Sequence, residues 1–348
     1  MYNFKNDYSV GAHPNILNKL IETNLVSQLG YGDDAYSLQA KQILKQKINN
    51  ANAEIFFLSG GTQTNLIAIS FLLRIHEAVI SAKTGHISAN ETGAIEATGH
   101  KVITVETNDG KLKPIDIQEA LNEYSLKPHV VKPRMVYISN ATEIGTIYTK
   151  KELKNLSVFC KENNLLLYLD GARLGHALMA ENSDLTLADI SQLTDVFYIG
   201  ATKNGALLGE AIIFNKTEIT IEFEFVLKQK GAMLAKGRVL AIQFLELFKD
   251  DLYFSLAKHA NQMAMKMASA IGENGFSFLT SSTTNQLFPI LPNEIIEELS
   301  KNYLFYVWKK VDDKQSVIRL ITSWATNENE VNTFIKDLKK AKENSQHI

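Results

Sequence analysis

The stretch Leu165–Arg173, with the sequence LLLYLDGAR, decides the fold. Its first five residues form the continuous apolar run that is typical of a strand buried on both faces of a parallel sheet. The run ends at Asp170, so a carboxylate stands at the carboxyl end of the strand, where open α/β sheets bind ligands. Arg173 follows and can hold an anion through two parallel hydrogen bonds. A helix-capping Asp followed by a solvated Arg is the alternative interpretation.

Other β-rich runs alternate with helical patterns on both sides of this stretch. The runs are Glu54–Leu58, Lys101–Val105, Arg134–Ser139, Leu165–Leu169, Val196–Ile199 and Ala211–Phe214. The alternation predicts an α/β fold in which helices cover both faces of a mostly parallel sheet. Capping boxes at Asp116 with Glu119 and at Thr149 with Glu152 mark the expected starts of two helices.

The pattern along the chain predicts three parts, because 348 residues are more than one core usually supports. Residues 1–40 show no sheet pattern and are assigned to an N-terminal arm. Residues 41–250 carry the alternating runs and form the large α/β domain. Residues 251–348 start with long helical stretches, continue with strands near Gln286–Ile290 and Ser316–Ile321, and form a small C-terminal α+β domain.

The composition is that of a packed, enzyme-sized protein. Hydrophobic residues make up 45% and charged residues 21%, which argues against disorder and coiled coil. The 36 Lys and Arg nearly balance the 38 Asp and Glu. The protein therefore lacks the positive net charge that would attract nucleic acid or acidic lipid. The single Cys160 forms no disulfide within the chain, and zinc-ligand spacings are missing. We therefore expect small-molecule chemistry with no metal, nucleic acid or membrane, and a cytoplasmic location, since no apolar signal segment begins the sequence.

A second candidate site is the segment Ser59–Asn65, with the sequence SGGTQTN, directly after the run Glu54–Leu58. Gly60 and Gly61 allow the backbone to approach a ligand closely, and a helix expected over Leu66–Leu73 offers free N–H groups to a phosphate. An ordinary strand-to-helix turn with a threonine cap is the alternative.

The third candidate is Lys203, which lies among the small residues that follow the run Val196–Ile199. A lysine in crowded apolar surroundings is disfavoured in its charged form and can attack an aldehyde as a free amine. Taken alone, it would more simply be a surface lysine. However, a phosphate cradle, a strand-end carboxylate and a lysine 33 residues after Asp170 are together the groups that pyridoxal phosphate requires.

Four segments resemble the threonine aldolase family, within the fold type I group of pyridoxal phosphate enzymes. They are Tyr31–Asp34, Ser59–Thr62, Asp170–Leu174 and Thr202–Gly205. The resemblance extends from Asn6 to Trp324. It implies an aspartate-aminotransferase-like fold, in which the large domain has a mostly parallel seven-stranded sheet, and a homodimer or homotetramer.

The resemblance also implies a role for each matching residue. Lys203 would bond the cofactor aldehyde, Asp170 would keep the ring nitrogen protonated, and His86 would stack on the ring. Arg173 and Arg319 would grip the substrate carboxylate. Gly60, Gly61, Thr62 and Asn140 would bind the cofactor, and Lys228 and Lys230 would reach the phosphate of a neighbouring subunit. Asn6 would bind the substrate, Glu91 would lie near the histidine, and Glu143 would take part in catalysis.

Two segments depart from the family. Asn140–Glu143 stands where members commonly carry a histidine, and Asn6–Val10 replaces the usual Ser-Asp-Thr-Val-Thr. Both changes lie where the β-hydroxyl and side chain of a substrate would sit, so substrate choice can change while the cofactor chemistry stays. The base for the β-hydroxyl is left open among His86, Glu143 and a held water.

The predicted function is pyridoxal phosphate-dependent cleavage of a β-hydroxy-α-amino acid, such as threonine or allo-threonine, to glycine and an aldehyde. A β-eliminating lyase or an aminotransferase is the nearest alternative, because the same carbanion serves all three reactions. A non-catalytic protein that binds a phosphate ligand is an alternative of another class.

Overall fold

The computed structural model describes residues 1–345, so the last three residues of the predicted part 251–348 lie outside the described residues. The strands are β1 (Tyr2–Asn3), β2 (Glu54–Leu58), β3 (Glu77–Ala82), β4 (Val102–Val105), β5 (Lys132–Ser139), β6 (Leu166–Asp170), β7 (Val196–Gly200), β8 (Glu210–Phe214), β9 (Gln286–Leu287), β10 (Ile290–Pro292), β11 (Tyr303–Leu304), β12 (Tyr306–Lys310) and β13 (Gln315–Ile321). The helices are α1 (Pro14–Thr23), α2 (Ala35–Lys47), α3 (Gly61–Leu72), α4 (His86–Ala89), α5 (Pro114–Glu123), α6 (Lys150–Glu162), α7 (Leu174–Leu178), α8 (Leu187–Leu193), α9 (Phe223–Gln229), α10 (Arg238–Lys249), α11 (Leu252–Glu273), α12 (Asn293–Ser300) and α13 (Glu328–Ser345).

Seven strands form the main sheet, in the order β2-β8-β7-β6-β5-β3-β4. The neighbours β7-β6, β6-β5, β5-β3 and β3-β4 are parallel, and β8 runs antiparallel to both β2 and β7. The predicted α/β class with a mostly parallel seven-stranded sheet is therefore confirmed.

The central strands are buried on both faces, and this explains their continuous apolar sequences. Every residue of β3, β7 and β8 is buried, as are four of the five residues of β6. Tyr137, Tyr168 and Tyr198 are also fully buried in this sheet. Because a buried hydroxyl needs a hydrogen-bond partner, these tyrosines indicate a polar region inside the core.

One edge of the main sheet collects the polar residues. β2, β5, β6 and β7 end there at their carboxyl ends, whereas the antiparallel β8 begins there. The pairing of Glu210 with both Leu58 and Gly200 places the start of β8 beside the ends of its two neighbours. This edge is the expected place for a ligand site.

The C-terminal part has a smaller sheet, in which β13 pairs antiparallel with β9, β10 and β12. Its core contains Phe4 from the N-terminus, next to β1, which pairs in parallel with β11. The sequence showed no strand in residues 1–40, because a two-residue strand has no periodicity to detect. The division at residues 40 and 250 stays a prediction; α2 spans the first of these positions, and α10 ends at Lys249.

Some element boundaries differ from those expected. The helix predicted over Leu66–Leu73 begins at Gly61, after Gly60 in an extended conformation. Thr149 caps α6 as predicted, but Asp116 does not cap α5: it is the third residue of that helix, and its carboxylate accepts a hydrogen bond from the N–H of Lys113. Pro114 at the first position explains the earlier start, since its fixed φ suits a helix and it lacks the N–H.

Candidate active site

The carboxylate of Asp170 is the most completely hydrogen-bonded group at the sheet edge. Tyr137 and Tyr198 each donate a hydroxyl to it at 2.5 Å, Asn65 donates an amide at 3.1 Å, and the N–H of Ala172 donates at 3.0 Å. Burial would raise the pKa of Asp170, but the nearby charge of His86 and the donated hydrogen bonds lower it below its ordinary value. Asp170 is therefore an ionised carboxylate although it is 3% exposed.

Asp170 lines a cavity of about 640 Å³. This volume lies in the range of small-molecule and cofactor sites. The predicted site residues that line the same cavity are Gly60, Gly61, Thr62, His86, Glu143, Arg173, Lys203 and Arg319. The structure thus brings together residues from six separate segments of the chain.

The glycine segment supplies the helix start in this cavity. Gly60 is the N-cap of α3, and no side chain of the described residues caps that helix. A methyl group built on Gly61 would lie 3.1 Å from the hydroxyl oxygen of Tyr198, so a larger residue there would crowd the group that binds Asp170. The exposed N–H groups and positive end of α3 suit a phosphate.

Lys203 lies in the loop between β7 and β8, half-buried at the cavity wall. The loop is fixed on both sides of the lysine. The hydroxyl of Thr202 donates to Glu210 at 2.8 Å, and the amide of Asn204 donates to the carbonyl of Tyr253 at 2.7 Å. Gly205 has a φ of 95°, which favours glycine at the turn.

His86 begins α4 and its Nδ1 lies 2.7 Å from the carboxylate of Glu91. Burial would lower the pKa of His86, but the hydrogen bond with Glu91 and the charges of Glu143 and Asp170 raise it. The amide of Asn65 also donates to Glu91, at 2.8 Å, so one amide joins the carboxylate beside His86 to Asp170.

Two arginines converge on the cavity from different elements. Nε and a terminal nitrogen of Arg173 donate to the carboxylate of Asp7 at 2.8 and 3.1 Å. Burial would lower the pKa of Arg173, but Asp7 raises it. Arg319 on β13 lies over the rings of Tyr306 and Trp308, at 5.1 and 5.0 Å from their centroids.

The state of Arg319 indicates what this side of the cavity binds. Burial and the nearby charge of Arg173 both lower the pKa of Arg319. Its Nε is buried and has no hydrogen-bond partner among the described residues. Arg173 already has a carboxylate partner, Asp7, but Arg319 has no such partner among the described residues. Two guanidinium groups at one side of a cavity are suited to bind a small anion such as a carboxylate.

Five predicted site residues do not line the cavity, and one of them, Glu91, is the partner of His86 described above. Asn140 is buried beside the cavity, where its side-chain oxygen accepts from the N–H of Tyr148 at 3.2 Å. The side chain of Asn6 accepts from the N–H of Tyr8 at 3.1 Å. Lys228 and Lys230 are exposed on and just after α9. Their assignments, like those of the other site residues, stay predictions.

Sequence reasoning assigned no individual role to several residues that build the site. They are Asp7, Tyr8, Asn65, Tyr137, Tyr198 and Glu210. A usable signal exists for the two tyrosines and for Glu210, since each is polar within a run that is otherwise apolar, close to the ligand edge. Among residues 1–345, no group of three His, Cys, Asp or Glu side chains is placed to hold a metal ion.

Comparison with known proteins agrees with this arrangement. The model of the β-eliminating lyase family matches residues 14–293. Low specificity L-threonine aldolases from Pseudomonas aeruginosa and from a Pseudomonas species (strain NCIMB 10558) are 31% and 32% identical; each match covers 97% of this chain and 96% of the relative. A solved Leishmania major threonine aldolase superimposes with a TM-score of 0.97 at 48% identity, over 98% of this chain and 100% of that one.

More distant solved structures are similar in fold alone. A Thermus thermophilus aspartate aminotransferase superimposes with a TM-score of 0.71 at 12% identity, over 98% of this chain and 91% of the other. The predicted fold type I, aspartate-aminotransferase-like architecture is confirmed. With matches over nearly its whole length, this chain belongs to the β-eliminating lyase family, among its threonine aldolases.

Proposed function

We propose that the protein is a pyridoxal phosphate-dependent carbon–carbon lyase that cleaves threonine or a related β-hydroxy-α-amino acid to glycine and an aldehyde. The observation that carries the proposal is one cavity that combines Lys203, the ionised Asp170 and the arginine pair. The relatives named above support the reaction, because they are threonine aldolases that match nearly the whole chain.

The residues of the cavity fit pyridoxal phosphate. The start of α3 at Gly60–Thr62 would hold the phosphate, Lys203 would bond the aldehyde carbon, and Asp170 would hold the proton on the ring nitrogen. When bound, the cofactor supplies an electron sink for the electron pair that is left on the α-carbon. The four donors on Asp170 keep its carboxylate charged and in one orientation, as this role requires.

The chain's own residues orient the substrate. Arg173, held by Asp7, and Arg319, held against two aromatic rings, would bind the carboxylate and so fix the position of the α-carbon. For the base that takes the β-hydroxyl proton we propose Glu143, which is 7% exposed and lines the cavity. The raised pKa of His86 favours its protonated form, which makes it a poorer base and a better partner for an anion.

Product analysis tests the proposal. Purified protein with pyridoxal phosphate is incubated with threonine, allo-threonine, phenylserine and serine, and the products are identified. Glycine with the matching aldehyde is expected, and Lys203→Ala should abolish it, whereas the exposed Lys301→Ala should leave it unchanged. A keto acid in place of glycine would indicate elimination or transamination. Binding of the cofactor without a borohydride-reducible bond to Lys203 would indicate a non-catalytic binding protein.

We further propose a homodimer or homotetramer in the cytoplasm. The resemblance assigns Lys228 and Lys230 to a neighbouring subunit's phosphate, and both side chains are exposed on this subunit. Light scattering during size-exclusion chromatography measures the assembly, and a monomeric active enzyme would contradict it.

None of the described helices combines the length and the apolar composition that a membrane crossing needs.

A further inference from the structure

Glu210 is a buried carboxyl group for which the reaction outlined above has no use. It begins β8, between the carboxyl ends of β2 and β7, and is 4% exposed. The hydroxyl of Thr202 donates to its Oε1 at 2.8 Å and itself accepts from the N–H of Gly209 at 3.0 Å. Its Oε2 is buried and has no hydrogen-bond partner among the described residues. A buried oxygen of this kind calls for an explanation.

The position of Glu210 connects it to the phosphate cradle. It pairs across the sheet with Leu58, and the chain continues from Leu58 directly into Ser59 and the glycines at the start of α3. Glu210 and Ser59–Thr62 line the same cavity. A carboxyl group with one unpaired oxygen therefore lines the same cavity as backbone groups that favour an anion.

The protonation of Glu210 decides whether this arrangement is compatible with an anion. Burial raises its pKa to about 8, and the charge of Asp170 adds to the rise, while the hydrogen bond from Thr202 and the charge of Lys203 oppose it. At neutral pH the group is therefore mostly a carboxylic acid, which can donate a hydrogen bond. An ionised carboxylate there would repel a phosphate dianion.

Several elements present titratable groups to Glu210. They are Lys203 after β7, Asp170 and Tyr168 on β6, Tyr198 on β7 and Tyr253 on α11. The tyrosines have raised pKa values because of burial and stay neutral. Glu210, unlike these tyrosines, therefore changes charge slightly above neutral pH.

We propose that Glu210 is kept as a neutral carboxylic acid and donates its proton in a hydrogen bond to the phosphate group of the cofactor, so that phosphate binding is coupled to retention of this proton. The inference rests on the proposed function, since it takes a phosphorylated cofactor as the ligand. It assigns to Glu210 a binding role at the cradle, separate from the chemistry at Lys203.

The test compares pyridoxamine 5′-phosphate with pyridoxamine, neither of which has an aldehyde that can react with Lys203. Dissociation constants are measured with cofactor-free enzyme by calorimetry, between about pH 6.5 and about pH 9.5. The ratio of the two constants isolates the contribution of the phosphate. For the wild type, the advantage of the phosphorylated ligand should fall with pH above about 8, by up to about tenfold per pH unit.

Glu210→Gln should remove this pH dependence, because an amide donates a hydrogen bond and does not ionise. Its phosphate advantage at pH 7 should stay within about threefold of the wild-type value, and the ratio should be flat. Glu54→Gln is the matched control, because Glu54 pairs with Phe214 at the opposite end of the same strand pair. This control should keep the wild-type profile.

Three results would overturn the proposal. One is a pH-independent ratio in the wild type, which needs no variant and so holds even if Glu210→Gln does not fold. Another is a Glu210→Gln profile that follows the wild type. The third is a pH dependence that is equal for both ligands, which would place the titration at the ring or at Lys203. Failure of the wild type to bind either ligand would instead reject the proposed function itself.

Discussion

Asp170 and Glu210 lie at the same edge of one sheet and are nearly equally buried, with 3% and 4% of their surface exposed. Asp170 accepts four hydrogen bonds and has a lowered pKa. Glu210 accepts one from a side chain, that of Thr202, and its pKa is raised to about 8. Burial is nearly the same for both groups, and each has a cation nearby, His86 for Asp170 and Lys203 for Glu210, so the number of hydrogen-bond donors decides which of them ionises.

This difference suits two tasks within one cavity. A protonated ring nitrogen needs a permanent negative charge, and a phosphate needs donors without negative charge. Tyr137 and Tyr198 point their hydroxyls at Asp170, whereas no tyrosine hydroxyl among the described residues is directed at Glu210. The fold thus sets the charge of each carboxyl group through the side chains of the adjoining strands.

Exchanging each carboxyl for its amide gives the largest expected contrast. Asp170→Asn removes a charge that the cavity is built to stabilise, and we expect kcat/KM for threonine to fall by about a thousandfold, the size of effect seen when a preorganised electrostatic contact is lost. Glu210→Gln replaces one neutral group by another, and at pH 7 we expect a loss below about tenfold. Steady-state kinetics at saturating cofactor measures both, with thermal unfolding as the control for folding. Equal losses would show that the two carboxyl groups do not differ in charge.

A second variant extends the comparison to a carboxylate that is held by a cation. Asp7 is fully buried and accepts two hydrogen bonds from Arg173 and one from Asn285, at 2.9 Å. Asp7→Asn leaves a buried guanidinium without its counter-charge, and we expect the free energy of unfolding to fall by about 3–5 kcal/mol. The KM for threonine should also rise, because Arg173 loses the partner that orients it.

The pH dependence gives a separate check on this variant. Burial would raise the pKa of Asp7, but the charge of Arg173 holds it well below the ordinary 3.8. Its stabilisation is therefore fully present above about pH 4 and is lost as the pH falls below that value. Urea unfolding should show the difference between wild type and Asp7→Asn shrinking in acid, while Asp313→Asn, an exposed control, stays close to wild type throughout. A difference that does not change with pH would contradict the ion pair.

The sequence predicted those parts of the site that depend on local pattern. Asp170 and Lys203 each follow an apolar run, and a buried strand that ends in a polar residue is visible from neighbouring residues alone. The pairing of Asp7 with Arg173 joins positions 166 residues apart, and no local pattern contains it. The role of Asp7 as the partner of Arg173 therefore needed the folded chain.

Strand β3 and the charge of Glu210 show the same limit. β3 was not predicted, because Val79 and Ile80 are the only large apolar residues in its sequence EAVISA, and it becomes a strand through burial between β4 and β5. The charge of Glu210 was equally hidden, since protonation depends on donors that come from other strands. Sequence pattern located the ligand edge, and the cross-strand contacts determined what each group on that edge can do.

A narrower test removes a single donor from Asp170. Tyr137→Phe deletes one of its two hydroxyl donors, and a hydrogen bond to a charged group contributes about 1.5–3 kcal/mol. Because that hydrogen bond favours the charged form, its loss should raise the pKa of Asp170 and move the acid limb of the kcat/KM profile to higher pH. Tyr148→Phe is the matched control, since the hydroxyl of Tyr148 is equally buried but accepts from the N–H of Leu112, at 2.7 Å, and forms no hydrogen bond with Asp170 or its donors. An equal displacement of the acid limb in both variants would mean that burial of the tyrosines, and not donation to Asp170, sets its charge.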